Sequence, residues 1–274
     1  MTRRTPRGIA YEVVGDGPVL LAVHGGPGTD HSMFRPYLDP LAAELAVVYF
    51  DLPGHGRSAE SQDYGLVAMA ASIEDILAAV GAERVFLLGS SYGGFLSLTY
   101  ALEHPERVAG LILVDTSASY GFRAESLEVA RQRATPSMLA ALERLWDDSL
   151  ADDEDFHAAW REILPLYFHR LEPAEVERLA DRGTYRLETR RQILPTLREY
   201  DLNGRLAEIE APTLVIVGRH DWITAVGQAE ALAAGLPQSR LAVFEHSGHY
   251  PFVEEHERFV AIVQEWMANA AEGE

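Results

Sequence analysis

The stretch from Gly89 to Gly93, Gly-Ser-Ser-Tyr-Gly, has the spacing of a serine nucleophile held between two glycines. It follows the apolar run "VFLL" and precedes a helical pattern, which predicts a sharp turn from a strand into a helix. Small residues on both sides of such a turn leave room for a strained, exposed serine. The spacing therefore favours Ser91 as the nucleophile and makes Ser90 its spacer.

A serine hydroxyl is a weak nucleophile until a base takes its proton, and a histidine oriented by a carboxylate does this near neutral pH. Asp221 ends one strand-like run, and His249 lies in the loop after the next one. The order Ser91, Asp221, His249 is the serine, acid, histidine order of one hydrolase fold. Asp115, after "LILV", is the second candidate for the acid.

The motif "HGGPG" begins at His24, directly after the apolar run "VLLAV". Glycines let the backbone pass close to a substrate oxygen, and an oxyanion hole needs backbone N–H donors. We expect the N–H groups of Gly26 and Tyr92 to be these donors and Gly25 to lie against the substrate. His24 is expected to orient the loop by a side-chain hydrogen bond rather than to act as the base.

These motifs fall at the ends of short apolar runs that alternate with helical patterns. The runs are apolar throughout, which is typical of strands buried on both faces of a parallel sheet. Helical spacing is found over Leu66 to Val80 and over Phe95 to Glu103. The strand-like runs are "IAYEVVG", "VLLAVHG", "LAVVYFD", "RVFLLGS", "VAGLILVDTS", "TLVIVGRHD" and "RLAVFEHSG".

The strand rhythm is interrupted between about residue 121 and residue 205. That segment is rich in Ala, Leu, Glu and Arg, and prolines 136, 165, 173 and 195 predict breaks between short helices. The pattern predicts an α/β core over 1–120 and 206–274 with a helical cap inserted over 121–205.

Composition limits the classes of function. The 274 residues are 47% hydrophobic and carry a formal net charge of −19, which argues against a nucleic-acid partner. There is no apolar run of transmembrane length, and "MTRRTPRG" lacks the apolar stretch of a signal peptide. We therefore expect a cytoplasmic protein without a membrane partner; the sequence leaves the oligomeric state open.

Cysteine is absent, so disulfides, thiolate metal sites and a cysteine nucleophile are excluded. No His-Glu-x-x-His or similar cluster occurs, and no metal site is expected.

Taken together, "HGGPG", "GSSYGG" and the "GRxD…SGH" pattern make the chain resemble the α/β-hydrolase superfamily over nearly its whole length, and in particular the proline iminopeptidases. The resemblance implies a mostly parallel eight-stranded sheet with a helical cap after the sixth strand. It also implies a Ser–His–Asp mechanism without a metal or organic cofactor, with Ser91, Asp221 and His249 as the matching residues.

Two features depart from those peptidases. They usually read Asp-Gln-Arg-Gly after the fourth strand, whereas this chain reads "DLPGHGRS" from Asp51, a version more similar to esterases, lactonases and carbon–carbon bond hydrolases. Some relatives carry an amine-binding glutamate directly after the catalytic aspartate, where this chain has Trp222. Trp222 is itself expected to contact the substrate. Cap glutamates are the candidates to replace the missing glutamate, first Glu188 and then Glu172, Glu175 and Glu177. The alternative is that each of these glutamates belongs to a solvated helix face.

The cap also carries aromatic side chains that either pack its helices together or line a pocket above Ser91. They are Trp146, Trp160, Tyr167, Phe168 and Tyr185.

The sequence thus predicts a serine hydrolase that cleaves a small ester or amide through an acyl-enzyme. Its partner is expected to be a small molecule or a short peptide. Proline iminopeptidase-like activity is the leading prediction, and a carboxylesterase or lactonase is the alternative. A non-enzymatic ligand-binding protein built on the same fold is the third hypothesis.

Overall fold

Eight strands form a single sheet in the computed structural model, which describes residues 2–147 and 149–272. The strand order is β1-β2-β4-β3-β5-β6-β7-β8, with the pairs β1–β2 and β2–β4 antiparallel and the remaining pairs parallel. The predicted mostly parallel eight-stranded sheet is confirmed. The strands are β1 Arg3–Arg4, β2 Ala10–Val14, β3 Val19–Val23, β4 Ala46–Phe50, β5 Val85–Ser90, β6 Val108–Val114, β7 Thr213–Gly218 and β8 Ser239–Phe244.

Both faces of the central strands are buried. Along β3, Leu20 packs into one hydrophobic cluster and Leu21 into the other, and Leu88 and Leu87 of β5 divide in the same way. Successive side chains of a strand point to opposite faces, so apolar residues at every position require cover on both sides. Helices supply that cover, which explains why these runs show no alternation of apolar and polar residues.

The helices of the core flank the sheet on its two faces. They are α1 Leu66–Ala70, α2 Ser72–Val80, α3 Tyr92–Glu103, α9 Val226–Gly235, α10 Pro251–Glu254 and α11 His256–Glu272. Short 3₁₀ helices occupy His31–Phe34, Asp39–Ala43, Pro105–Arg107, Tyr120–Phe122, Leu164–Tyr167, Leu194–Glu199 and Asn203–Glu208. Among the described helices, none is long and apolar enough to cross a membrane.

One predicted helix is divided. The pattern predicts a continuous helix from Leu66 to Val80, but the chain forms α1 and α2 with a break at Ala71. The Ser72 hydroxyl donates a hydrogen bond of 2.6 Å to the carbonyl of Met69, three residues earlier. Such side-chain bonds to the preceding turn bend helices, which accounts for the break.

The residues between β6 and β7 form a helical segment, here called the cap segment (residues 121–205). Its helices are α4 Arg123–Arg133, α5 Pro136–Asp147, α6 Asp153–Ile163, α7 Pro173–Arg182 and α8 Leu187–Ile193. Each of the four predicted break prolines occupies the first or second position of a helix, because a missing N–H is tolerated there. The prolines therefore mark helix starts.

The cap segment leaves and rejoins the core at a narrow neck. The Tyr120 N–H donates to the carbonyl of Tyr200 at 2.9 Å, and the Leu202 N–H donates to that of Ala118 at 2.7 Å. The division into a core of 1–120 and 206–274 and a cap of 121–205 stays a prediction, and its outer limits at residues 1 and 274 lie outside the described residues.

The strand order reverses beside β3, which pairs with β4 on one side and β5 on the other. The carboxyl ends of β3 and β5 are level, since Val23 lies opposite Gly89. Ligands of open α/β sheets bind in the crevice at such a reversal. The loops after β3 and β5 are "HGGPG" and the Ser91 turn, so the topology brings these two motifs together.

Candidate active site

The turn after β5 holds Ser91 in a left-handed backbone conformation, with φ of 53° and ψ of −119°. A residue other than glycine is strained there. The surrounding glycines are required by close packing. A Cβ on Gly89 would lie 2.5 Å from the Ser97 Oγ, and one on Gly93 would lie 2.0 Å from the carbonyl oxygen of Val23. The turn therefore tolerates no side chains at these positions, and α3 begins directly after Ser91.

Ser91 is also tied to the neighbouring strand. Its N–H donates to the carbonyl of Val114 at 3.0 Å, and its own carbonyl accepts from the Thr116 Oγ at 2.8 Å. Gly94 allows this contact, because a Cβ there would lie 2.4 Å from the Thr116 Oγ. These bonds hold the strained residue at the end of the sheet.

His249 and Asp221 form a buried pair. The His249 Nδ1–H donates to the Asp221 Oδ2 at 2.9 Å, and the two residues are 1% and 4% exposed. Asp221 also accepts hydrogen bonds from the Ile223 N–H at 2.8 Å and from the Thr224 hydroxyl at 2.7 Å. This arrangement leaves the Nε2 of His249 as the nitrogen able to exchange a proton with a substrate or a nucleophile.

Burial works against the charge on Asp221. The charge of His249, together with hydrogen bonds from His249 and Thr224, nevertheless keeps the pKa of Asp221 below its ordinary value. An ionised Asp221 fixes the tautomer of the imidazole and stabilises its protonated form. Sequence reasoning did not single out Thr224, whose only signal is its position three residues after the aspartate.

Asp115 lies beside this pair without bonding to His249. It is fully buried, its φ is 44°, and its Oδ1 accepts from the Gly218 N–H at 2.9 Å. Burial, and then the negative charge of Asp221, raise the pKa of Asp115 well above its ordinary value. Of the two candidate acids, the structure therefore pairs Asp221 with His249, and the raised pKa of Asp115 favours its protonated form.

Ligand atoms of Asp115, Asp221 and His249 lie within 4.8 Å of one another, which is the spacing of a small metal site. The hydrogen bond between His249 and Asp221 accounts for the closeness of those two residues. That no metal takes part stays a prediction.

The loop after β3 lies against the nucleophile. A Cβ on Gly25 would lie 2.9 Å from the Cβ of Ser91, so only glycine fits at this point. Gly26 has a φ of 65°, and its N–H and that of Tyr92 have no acceptor among the described residues. Both residues line the same cavity as Ser91. Two free backbone donors beside a serine are the elements of an oxyanion hole.

His24 uses both ring nitrogens within the loop. Its Nδ1–H donates to the carbonyl of Gly25 at 2.9 Å, and its Nε2 accepts from the Leu52 N–H at 3.1 Å. Burial lowers the pKa of His24, so the ring stays neutral. His24 thus ties the loop after β3 to the end of β4.

The "DLPGHGRS" segment, which begins at Asp51, also holds the loop after β4 in place through hydrogen bonds. Asp51 accepts from the ring Nδ1 of His31 with one carboxylate oxygen, and from the backbone N–H and Nε of Arg57 with the other. Burial opposes the charge of Asp51, but the hydrogen bond and charge of His31 and the bonds from Arg57 leave its pKa well below the ordinary value. These contacts brace the loop after β4.

A cavity between the strand ends and the cap segment contains the candidate residues. Trp222 lines it and is 1% exposed. Four of the five predicted cap aromatics line it as well, whereas Phe168 does not. The residues with a predicted catalytic, oxyanion or substrate-binding role that line the cavity are Gly25, Gly26, Ser91, Tyr92, Trp222 and His249, and His24 lines it as well.

The predicted amine-binding glutamates do not line this cavity. Glu188 is exposed and accepts from the Gln192 side chain at 2.8 Å. Glu175 pairs with Tyr37 and Arg178, and Glu172 and Glu177 are exposed. The carboxylate that does line the cavity among the described residues is Asp30. Its two oxygens accept from the backbone N–H groups of Ser32 and Thr184, both at 2.9 Å.

Comparison with known proteins agrees with this architecture. The family model described as the alpha/beta hydrolase fold matches residues 18–256. This chain belongs to that family. The α/β hydrolase is 28% identical over 272 residues to a proline iminopeptidase of Saccharolobus solfataricus, covering 94% of this chain and 87% of that protein.

Solved structures resemble this α/β hydrolase as well. An alpha/beta fold family hydrolase from Bacillus anthracis superposes with a TM-score of 0.80 at 25% identity, covering 97% of this chain and 99% of that one. A thermophilic esterase from Thermogutta terrifontis superposes with a TM-score of 0.75 at 27% identity, covering 98% of each chain. These similarities support a hydrolytic enzyme of the prolyl aminopeptidase or esterase type.

Proposed function

We propose that this protein is a serine hydrolase that cleaves a small ester or amide through an acyl-enzyme. The Ser91 Oγ attacks the substrate carbonyl while the Nε2 of His249 takes the hydroxyl proton. Asp221 holds the imidazole by its Nδ1–H and stabilises the imidazolium. The N–H groups of Gly26 and Tyr92 stabilise the oxyanion of the tetrahedral intermediate.

The intermediate collapses when His249 gives its proton to the leaving group, which leaves an ester on Ser91. Water then attacks this ester with His249 again as the base, and the acid is released. The observation that carries the proposal is the coincidence of three features at one cavity. These are the strained Ser91, the buried His249–Asp221 pair and two backbone donors without an acceptor among the described residues.

Two substrate classes follow from different observations. The similarity to proline iminopeptidases supports removal of an N-terminal proline. A protonated substrate amine, however, needs a carboxylate partner. Asp30, the acid at the cavity among the described residues, already accepts two backbone N–H groups. The lining is otherwise largely apolar, and this specifically favours an ester.

The test compares p-nitrophenyl butyrate with L-proline p-nitroanilide and adds labelling by a fluorophosphonate probe. We expect labelling and ester turnover by the wild-type protein. Ser91→Ala should remove labelling and lower kcat/KM by at least about a thousandfold without lowering Tm. Ser90→Ala is the matched control and should retain both the label and turnover.

Other results of the labelling and turnover experiment would each contradict a specific part of the proposal. Undiminished turnover in Ser91→Ala would overturn the assignment of the nucleophile. Turnover of the proline anilide in preference to the ester would favour the prolyl aminopeptidase. Labelling without turnover of either compound would favour a ligand-binding protein. The cytoplasmic location stays a prediction from the sequence.

A further inference from the structure

The cap side of the cavity carries a guanidinium that has no acidic partner in the described part of the chain. Arg123 is half-buried at the start of α4 and lines the cavity. Its Cζ lies 5.1 Å from the centre of the Trp146 ring and 6.0 Å from that of Tyr120. No residue in the described part of the chain accepts a hydrogen bond from Arg123 or forms an ion pair with it. Aromatic faces hold a guanidinium in place while leaving its N–H groups available.

A second donor lies beside the same ring. Trp222 is 1% exposed, and its indole N–H has no acceptor within the described residues. The ring of Trp222 is 6.4 Å from that of Trp146, which contacts Arg123. A buried N–H without an acceptor is unfavourable, and a ligand oxygen would relieve it. The ring of Trp146 is thus near two donors, the Arg123 guanidinium and the Trp222 indole N–H. Neither donor has an acceptor among the described residues.

The charges that line the cavity favour an anion. Arg123 and Arg190 line it, and Arg190 donates to the carbonyl of Leu145 while packing on the ring of Phe156. The carboxylate of Asp30 is bound by backbone N–H groups. The guanidinium of Arg123 is therefore the cavity charge that has no hydrogen-bond or ion-pair partner among the described residues, in a chain whose formal net charge is −19. A largely apolar wall strengthens the attraction between a guanidinium and an anion.

We infer that Arg123, with the Trp222 indole, binds a carboxylate at the far end of the substrate, so that the enzyme prefers half-esters of dicarboxylic acids. This inference rests on the proposed serine hydrolase activity. A guanidinium presents a planar pair of donors that matches the two oxygens of a carboxylate. The apolar residues between the cap and Ser91 would then accommodate the methylene chain.

The test uses mono-p-nitrophenyl adipate and suberate, each matched by the compound whose distal carboxyl is a methyl ester. We expect kcat/KM to be at least about tenfold higher for the acids, because a charge-assisted hydrogen bond is lost in the methyl esters. Arg123→Gln should lower this ratio to about one, and Arg123→Lys should restore part of it. Arg131→Gln, at an exposed position of the same helix, is the control and should keep the ratio.

A second measurement does not depend on turnover. Titration of Ser91→Ala with monomethyl adipate by calorimetry should show binding that weakens at least about tenfold when Arg123→Gln is added. Ester hydrolysis with equal rates for the acids and their methyl esters would overturn the inference alone. Calorimetric binding without any hydrolysis would overturn the proposed function alone. Absence of both would overturn both.

Discussion

Two buried carboxyls whose pKa values are shifted in opposite directions lie next to each other at the end of the sheet. Asp221 is held ionised by His249 and Thr224, whereas Asp115 is desolvated and repelled by Asp221. Ionisation of both adjacent carboxyls is unfavourable because the two negative charges repel each other. The carboxyl that has hydrogen-bond donors therefore keeps the charge. The assignment of the acid therefore depends on the donors that surround each residue.

This difference predicts unequal effects of the same substitution. Asp221→Asn should lower kcat about ten-thousand-fold, because an amide favours the wrong imidazole tautomer and cannot stabilise its charge. Asp115→Asn should change kcat by less than about tenfold, since an amide is neutral like the protonated acid and retains an oxygen for the Gly218 N–H. Steady-state kinetics on a p-nitrophenyl ester measure both values. Equal losses in the two variants would contradict the assignment of the acid.

Helix α10 connects the cap segment to the loop that carries His249. The Glu254 carboxylate accepts from the backbone N–H of Gly248 at 2.6 Å, of Arg170 at 2.7 Å and of His169 at 3.1 Å. The carbonyl of Tyr167 also accepts from the His249 N–H at 2.6 Å. The loop of the predicted base is thus fixed by contacts with the cap segment as well as by the core.

We expect Glu254→Ala to lower both the free energy of unfolding and kcat. The substitution removes the acceptor of three backbone N–H groups, and one buried donor without a partner costs about 1–3 kcal/mol. Loss of the hydrogen bonds between Glu254 and the loop of His249 should also misplace His249. Urea unfolding and ester turnover measure the two effects. Glu254→Gln should restore part of both because it keeps one acceptor oxygen.

The exposed Glu257 at the start of α11 offers a control. Glu257→Ala should leave stability and kcat close to the wild-type values. If Glu254→Ala lowered stability but left kcat unchanged, the proposed effect of this contact on His249 would be wrong.

At the scale of the whole molecule, buried neutral histidines link stability to pH. His55 is fully buried, its Nδ1–H donates to the carbonyl of Pro53 at 2.9 Å, and burial lowers its pKa to about 3. An unfolded histidine has a pKa of about 6.5, so between these values the unfolded chain binds a proton that the native state lacks. The contribution is fully present above about pH 6.5 and is lost as pH falls.

The free energy of unfolding should therefore decrease from pH 7 to pH 4 by up to about 1.4 kcal/mol per pH unit for this histidine. His55→Asn retains a donor near the δ position. It should reduce that slope by up to about 1.4 kcal/mol per pH unit, which corresponds to the uptake of one proton. Urea titrations at several pH values measure it. Asp115 contributes to the free energy of unfolding with the opposite sign, because its raised pKa makes its contribution decrease as pH rises. Since wild type and variant share Asp115, the difference between their slopes reports on His55.

The matched control is the same substitution at the exposed His246, which measures the effect of losing a surface histidine. A slope in His55→Asn identical to that of the wild type would contradict the prediction that His55 is neutral in the native state.

The sequence by itself determined the features that depend on local pattern. Runs that are apolar at every position predicted strands covered on both faces, and the glycines around Ser91 predicted a turn too crowded for side chains. The order of Ser91, Asp221 and His249 indicated the fold, because each follows a strand and parallel strands bring their carboxyl ends to one edge. The division of the helix at Ala71 was not predicted, since it depends on a single hydroxyl bond.

The tertiary structure alone decided which polar groups meet. Asp115 and Asp221 have the same local signature, and only the packing around them gives His249 and Thr224 to one and leaves the other desolvated. Glu188 and Arg123 both belong to the cap segment, yet Glu188 lies on its exposed face and Arg123 lines the cavity. Such differences arise from contacts between residues far apart in the chain, which no local spacing encodes.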